Sequence, residues 1–115
     1  MKNTVSLKLN RDFKRLYYKG KSSAGGYVVV YAMKNRLGTN RLGLTAGKTV
    51  GNAVLRNRIK RLMRESYRLM EDRLAVGYDI VMVSRSRAPS QSLDKIKKDT
   101  AFAMKKLGLF RDLLQ

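Results

Sequence analysis

The stretch that most restricts the possible folds of this chain is residues 51–68, GNAVLRNRIKRLMRESYR. At 3.6 residues per turn it predicts an amphipathic helix, with Asn52 as a cap and an end near Leu74. One side of this helix is apolar and carries Leu55, Ile59, Leu62, Ser66 and Met70. At 115 residues the chain is expected to form one domain, and because helices and strands interleave along it, we expect a single sheet flanked by helices.

The other side of the predicted helix is crowded with cations. It carries Arg56, Asn57, Lys60, Arg61, Arg64 and Arg68, with Arg58 on the flank. Glu65 is the only acid in the stretch, whereas a solvated helix side usually mixes both signs of charge. Guanidinium groups suit bidentate contacts with phosphate, and side chains three, four and seven residues apart project together. The pattern therefore indicates a polyanionic partner, with nucleic acid as the first candidate.

Composition supports that prediction and excludes several kinds of chemistry. The chain has 26 Lys and Arg residues against 8 Asp and Glu, a net charge of +18, whereas solubility needs only about 2–8. It lacks Cys and His, which excludes disulfides, thiolate zinc sites, Cys nucleophiles and imidazole bases. The acids form no convergent group of the kind that a two-metal nuclease requires. We therefore expect any reactive centre to come from another molecule.

The remaining pattern predicts alternating helices and strands. A short helix over 10–19 should begin at Asn10 as cap and end at Gly20, and a last helix should begin near Ser92. Strands are predicted at Tyr27–Met33, Arg41–Ala46 (antiparallel to the first) and Tyr78–Ser84, with room for a short strand at Lys21–Ala24. The longest apolar run has only seven residues, against about 20 for a membrane span, and the N-terminus lacks a signal-peptide core. We expect a cytoplasmic protein.

Three aromatic residues have two possible roles. Phe13 and Tyr17 are four residues apart on the first predicted helix, and Tyr31 lies on a strand that could face them. Aromatic rings beside cations can stack on unpaired bases, but they can equally pack in an ordinary core. The residues by themselves favour core packing.

Residues 41–64, RLGLTAGKTVGNAVLRNRIKRLMR, carry a recognisable motif. A Gly-Asn-Ala-Val opening followed by Arg56-Asn57-Arg58 and Lys60-Arg61 closely resembles the bacterial ribonuclease P protein family. Residues 7–20 resemble the first helix of that family, and the element order agrees along nearly the whole chain. The chain departs from the family at Thr49, where many members carry a second basic residue. Residues 34–40 and 85–92 show no family-specific match.

The resemblance implies an α/β (α+β) two-layer sandwich of α-β-β-β-α-β-α order, similar to a ribosomal protein domain. It also implies a left-handed β-α-β crossover around the basic helix. The chain, residues 1–115, would be a single RNA-binding domain, monomeric when free, with no membrane or DNA partner. The implied function is the protein component of ribonuclease P, an endoribonuclease that removes the 5′ leader from precursor tRNA. In this family the catalytic centre lies in the RNA; the protein alone binds no cofactor, and the RNA–protein holoenzyme requires Mg²⁺.

The resemblance implies two binding surfaces and no catalytic residue on this chain. The catalytic RNA would contact Lys48, Asn52, Arg56, Asn57, Arg58, Lys60, Arg61, Arg64 and Arg68. The unpaired leader of precursor tRNA would lie in a cleft lined by Phe13, Tyr17, Val29 and Tyr31, which reverses the preference for core packing. From composition, a structural RNA-binding protein of the ribosome is the alternative. A DNA-binding regulator is less favoured because no helix-turn-helix pair is predicted.

Overall fold

The computed structural model describes residues 1–111, in which three helices surround a mixed five-stranded sheet. The strands are β1 (Thr4–Ser6), β2 (Lys21–Ala24), β3 (Val28–Lys34), β4 (Asn40–Thr45) and β5 (Tyr78–Ser84). The helices are α1 (Asn10–Lys19), α2 (Ala53–Met70) and α3 (Leu93–Lys106). This order confirms the predicted fold class and adds one strand, β1, which the sequence pattern did not predict.

The strands lie in the order β1-β4-β5-β3-β2. Strand β4 pairs with β5 in parallel, and α2 connects them, as the predicted crossover requires. The left-handedness of that crossover stays a prediction. Strand β4 runs opposite to β3, as predicted, but the two do not pair because β5 lies between them. The turn between β3 and β4 therefore spans a neighbouring strand instead of closing a hairpin.

The sheet is covered by helices on both faces. Helices α2 and α3 bury the main core against one face, where Val28 and Val30 are fully buried. Helix α1 lies on the other face and covers a smaller core around Leu16 and Val81. Alternation along β3 separates the two sets, because successive side chains of a strand point to opposite faces. No helix among residues 1–111 has the length and apolar character needed to cross a membrane.

The apolar side of α2 is rotated from the one that the sequence predicted. The helix buries Ile59, Met63, Ser66, Tyr67 and Met70, whereas Leu62 is half-buried and Leu55 is 38% exposed. The predicted apolar side lies too far toward Leu55. Helical periodicity defines an apolar sector, but it does not define which flank of that sector meets the sheet. The flank with Met63 and Tyr67 faces the sheet, and both side chains are fully buried.

Asn52 caps α2 as predicted, and α3 begins directly after Ser92, near which its start was predicted, with Ser92 as its cap. The side chains of Asn52 and Ser92 accept hydrogen bonds from the backbone N–H groups of Leu55 and Lys95, at 3.0 and 3.2 Å. The prediction for Asn10 is wrong, because Asn10 is the first residue of α1 and the cap position is Leu9, whose side chain makes no capping bond. Helix α2 stops at Met70 rather than near Leu74, and a short 3-10 turn follows it.

That turn holds the N-terminal segment in place. The Glu71 carboxylate accepts hydrogen bonds from the backbone N–H groups of Lys2 and Asn3, at 3.0 and 3.3 Å. Burial by itself would raise the pKa of Glu71, but these bonds and Thr4 bring it below its usual value. The contact places β1 against β4, and no local pattern in the sequence reports a bond across 69 residues.

One carboxylate of α3 fixes the turn between β2 and β3. Asp99 accepts hydrogen bonds from the backbone N–H groups of Gly26, Tyr27 and Val28, at 2.8, 2.9 and 2.9 Å. Gly25 lies so close that a Cβ there would be 2.3 Å from the carboxylate. The segment KSSAGG, residues 21–26, is flexible and polar by its composition, yet it forms β2 and a turn that Asp99 anchors to α3.

We expect Asp99→Ala to lower the free energy of unfolding by about 3 kcal/mol, because hydrogen bonds to a charged group contribute roughly 1.5–3 kcal/mol each and part of this loss is regained from water. Urea unfolding would measure it. Asp94→Ala on the same helix is the matched control, since the Asp94–Lys98 pair is exposed and should cost under about 1 kcal/mol. Equal unfolding midpoints for the two variants would contradict the anchoring role.

Candidate nucleic-acid interface

Helix α2 presents a row of polar and basic side chains to solvent. Asn57, Arg61 and Arg64 are exposed and lie opposite the buried side of the helix. Within residues 1–111 these three side chains and Lys60 form no hydrogen bond or ion pair with the protein, so their polar groups are available to a ligand. We call Asn57, Lys60, Arg61 and Arg64 the open basic row.

Two other predicted members of the row, Arg58 and Arg68, are engaged by the protein itself. Arg58 donates a hydrogen bond to the carbonyl of Pro89 at 2.9 Å and so ties α2 to the segment before α3. Arg68 forms an exposed ion pair with Glu65, and that hydrogen bond lowers the pKa of the Glu65 carboxyl. Arg56 is half-buried, and its Nε lacks a hydrogen-bond partner among the described residues. Because Arg56 is seven residues before Met63, it shares the buried side of α2. The prediction that it projects with the outward row is therefore wrong.

The remaining predicted residues lie before the first turn of α2. Lys48 is exposed on a short 3-10 turn, and Asn52 is exposed at the cap position. The Asn52 side chain is occupied by the backbone N–H of Leu55, so its part in the fold is capping. Gly51, with a φ of 142°, makes the bend between the 3-10 turn and α2, a conformation that favours glycine.

The predicted cleft residues meet on the α1 side of the sheet. The ring centroids of Tyr17 and Tyr31 are 5.0 Å apart in an edge-to-face arrangement, and those of Phe13 and Tyr17 are 6.5 Å apart. Val29 is half-buried on the same side of β3 as Tyr31. We call these four residues the aromatic surface.

The aromatic surface combines both of the roles considered for its rings. Phe13 and Tyr31 pack against the small core beneath α1, as core packing predicts. Tyr17 instead remains 40% exposed, and its hydroxyl lies 3.0 Å from Oγ1 of Thr45. The two inner rings thus support an outer ring with a face available for stacking.

A glycine allows the inner ring to lie directly on the sheet. A Cβ at Gly43 of β4 would be 2.5 Å from the Phe13 ring. The absence of a side chain there lets Phe13 reach the surface of β4. No local pattern predicts this contact, because it joins residues 30 positions apart.

An ion-pair network secures the first turn of α1 to the same face. The guanidinium of Arg41 donates to both oxygens of Asp79, at 2.7 and 2.6 Å, and lies 3.6 Å from Asp12. Asp12 in turn accepts a hydrogen bond from Arg15 at 2.8 Å. Burial by itself would raise the pKa of Asp79, but Arg41 and Asn35 outweigh it and hold this pKa below its ordinary value of 3.8.

We expect Asp79→Asn to destabilise the fold by about 2 kcal/mol at pH 7, less than for a fully buried pair because Arg41 keeps partial exposure. A carboxyl whose pKa is lowered in the folded state stabilises above its unfolded pKa and loses that effect as the pH falls through its folded value. The difference in the free energy of unfolding between the variant and the unchanged protein should therefore be largest above about pH 5 and should shrink below pH 3.8. Urea unfolding across this range measures it, with Asp94→Asn as the exposed control. A gap independent of pH would contradict the role assigned to the charge.

The two surfaces meet at one cavity of about 390 Å³. Its walls include Phe13 from α1, Lys60 and Arg64 from α2, and Gly43 and Leu44 from β4. Strand β1 pairs only with residues 40–42 of β4, so the edge of β4 beyond them is open. The cavity thus connects the edge of the aromatic surface at Phe13 with Lys60 and Arg64 of the open basic row.

Comparison with known proteins places nearly the whole chain in one family. The Ribonuclease P family profile matches residues 1–108. The chain is 38% identical to the ribonuclease P protein component of Alkaliphilus metalliredigens, over 95% of this chain and 98% of that protein. It is 40% identical to the ribonuclease P protein component of Natranaerobius thermophilus, over 96% of each chain.

Solved structures show the same fold. The RNase P protein of Staphylococcus aureus superposes with a TM-score of 0.83 at 35% identity, covering 91% of this chain and 96% of that one. The RNase P protein of Thermotoga maritima gives a TM-score of 0.77 at 29% identity, with 85% and 93% covered. The match in sequence and in fold leads to one conclusion: this chain belongs to the ribonuclease P protein family, whose members are protein components of a ribonuclease.

Proposed function

We propose that this protein assists a catalytic RNA in removing the 5′ leader from precursor tRNA. The open basic row would bind the RNA component, and the aromatic surface would hold unpaired leader nucleotides. The observation that carries the proposal is the shared cavity, which places Phe13 beside Lys60 and Arg64. Stacking and phosphate contacts are the two interactions that single-stranded RNA offers, and here they are adjacent.

The proposed contribution of the protein is electrostatic. Catalytic RNA and precursor tRNA are both polyanions, so their association is opposed by phosphate repulsion. A protein of charge +18 placed between them would lower that repulsion and would release counterions from both. Its effect on cleavage should therefore be largest where Mg²⁺ is scarce.

The carboxylates of this chain do not suit the Mg²⁺ that the holoenzyme is proposed to require. Among residues 1–111 no three of the acidic side chains come together, and Asp79 and Glu71 are occupied by Arg41 and by backbone N–H groups. Mg²⁺ prefers several oxygen ligands in octahedral geometry. We therefore assign the metal ions, and with them the reaction, to the RNA.

The test is to identify the RNA that the protein retains and then to assay cleavage. Protein purified with its bound RNA should retain the catalytic RNA of ribonuclease P. Adding RNA-free protein to that RNA at limiting Mg²⁺ should increase the rate of leader removal from precursor tRNA. Retention of ribosomal RNA together with an unchanged cleavage rate would contradict the proposal and favour the ribosomal alternative.

A further inference from the structure

A second cavity, of about 300 Å³, lies away from both surfaces described above. It opens between the end of α3 and the start of β2, and three lysines, Lys19, Lys21 and Lys34, line it. Tyr78, Leu107 and Leu109 provide an apolar wall. We call it the lysine pocket. It shares no lining residue with the aromatic surface or with the open basic row.

The strand register explains why these side chains converge. Lys21 pairs directly with Ala32, and Lys34 pairs directly with Tyr78. Directly opposed residues of antiparallel strands share a face, so all four lie on the α3 side of the sheet. The small Ala32 side chain leaves space between the sheet and Leu107. This volume is at the lower end of the range for small-molecule sites.

Gly20 sets the position of Lys19, the lysine of the pocket that does not lie on a strand. A Cβ at Gly20 would lie 2.6 Å from the carbonyl oxygen of Leu16 and 3.2 Å from that of Ala32. Because Gly20 has none, the end of α1 closes tightly on β3. The residues on either side of it, Lys19 and Lys21, are thereby held at the mouth of the pocket.

Local structural roles account for some of these lysines but not for the group. A lysine in the last turn of a helix interacts favourably with the helix dipole, which explains Lys19. A lysine on an edge strand discourages strand pairing, which explains Lys21. Lys34 ends β3, an interior strand, but it lies two residues beyond the last pairing with β2, so the edge of β3 is open there as well. None of these local reasons explains why three lysines converge on one pocket. No acid lines the pocket, and none of the three lysines forms an ion pair within residues 1–111.

The pocket continues into a second, open cavity. Lys34 and Tyr78 line both, and Arg36 and the exposed Leu37 lie on the far side. The two cavities together form a path lined by lysines on one side and by Arg36 on the other, with the Tyr78 ring between them. A planar group could insert beside Tyr78 while phosphates on either side meet the lysines and Arg36. Alternation of an aromatic platform with cations is the arrangement that binds unpaired nucleotides.

We propose that the lysine pocket binds one unpaired nucleotide of an RNA, with its base against Tyr78 and Leu109 and its phosphates on Lys21 and Lys34. The inference rests on the proposed function, because that function supplies the RNA. It adds a third contact point, on the α3 side of the sheet, to the two surfaces already proposed. RNA bound there would lie against residues 34–36, which no motif in the sequence marked.

Methyl NMR of the full chain separates this proposal from the proposed function. Ala32, Leu107 and Leu109 report on the lysine pocket, whereas Val29 and Val83 report on the α1 face of the sheet. A five-nucleotide oligouridylate should shift both sets of signals, and adenosine monophosphate should shift the pocket set more than inorganic phosphate does. Lys21→Ala/Lys34→Ala should abolish the pocket shifts only and reduce the salt dependence of RNA binding by about two slope units. Lys95→Ala/Lys97→Ala removes equal charge from α3 and should leave the pocket shifts unchanged.

Three outcomes would overturn the proposal. Shifts confined to Val29 and Val83 would remove the lysine pocket and leave the proposed function standing. Equal pocket shifts with phosphate and with adenosine monophosphate would reduce the site to general anion binding. No shift in either set with oligouridylate would contradict the proposed function as well.

Discussion

Replacing Arg61 and Arg64 with alanine is expected to lower the affinity of this protein for the catalytic RNA by about a hundredfold. Both side chains are exposed on α2, and neither has a partner in the described part of the chain, so nothing in the protein competes with phosphate for them. A hydrogen bond to a charged group contributes about 1.5–3 kcal/mol, and each 1.4 kcal/mol is tenfold in affinity. The slope of log affinity against log salt should fall by about two.

Two variants test whether this loss is specific to the open basic row. Lys95→Ala/Lys97→Ala removes the same charge from α3 and should change affinity far less. Arg68→Ala removes a guanidinium that is already paired with Glu65, so its effect should be smaller than that of Arg64→Ala. Affinity and salt slope can be measured by filter binding at several salt concentrations. Equal losses for the α2 and α3 pairs would show that only net charge matters and would remove α2 from the interface.

Replacing Tyr17 with alanine is expected to weaken the binding of precursor tRNA to the assembled enzyme by about ten- to a hundredfold. Base–aromatic stacking contributes roughly 1–3 kcal/mol per base, and Tyr17 carries the exposed ring of the aromatic surface. Mature tRNA lacks the leader and should bind nearly as before. Tyr17→Phe keeps the ring, removes only the hydroxyl near Thr45, and should retain most of the affinity.

The next residue of the same helix provides the control. Tyr18 is 88% exposed and lies outside the aromatic surface, so Tyr18→Ala should remove a similar ring without affecting precursor binding. Phe13→Leu is preferable to Phe13→Ala, because Phe13 also packs on the small core and its removal would disturb the fold. Equal losses for precursor and mature tRNA in Tyr17→Ala would contradict the leader assignment.

Local signals predicted most of the elements. The caps at Asn52 and Ser92 and the strand at Tyr78–Ser84 are consequences of short-range chemistry, so a sequence pattern is enough to find them. Strand β1 has only three residues and is held by Glu71 and β4, which are distant in the chain. A strand whose stability comes entirely from distant partners leaves no local pattern.

The candidate site shows the same contrast between features that local patterns predict and features that distant contacts decide. The sequence pattern supplied the cations of α2 and the three rings. It could not separate Arg61 and Arg64, which are open, from Arg58 and Arg68, which the protein engages. It also placed Arg56 on the outward side, because the flank of α2 that meets the sheet depends on the shape of the core.

The sequence by itself determined the amphipathic helix, its positive charge, the alternation of strands and helices, and the family. Each of these depends on residues within a few turns of one another or on a contiguous motif. Only the tertiary structure decided that β5 separates β3 from β4, that Phe13 rests on Gly43, and that the basic and aromatic surfaces share a cavity. These features arise from packing between segments far apart in the chain, where the energy depends on the fit of whole faces rather than on the identity of neighbouring residues.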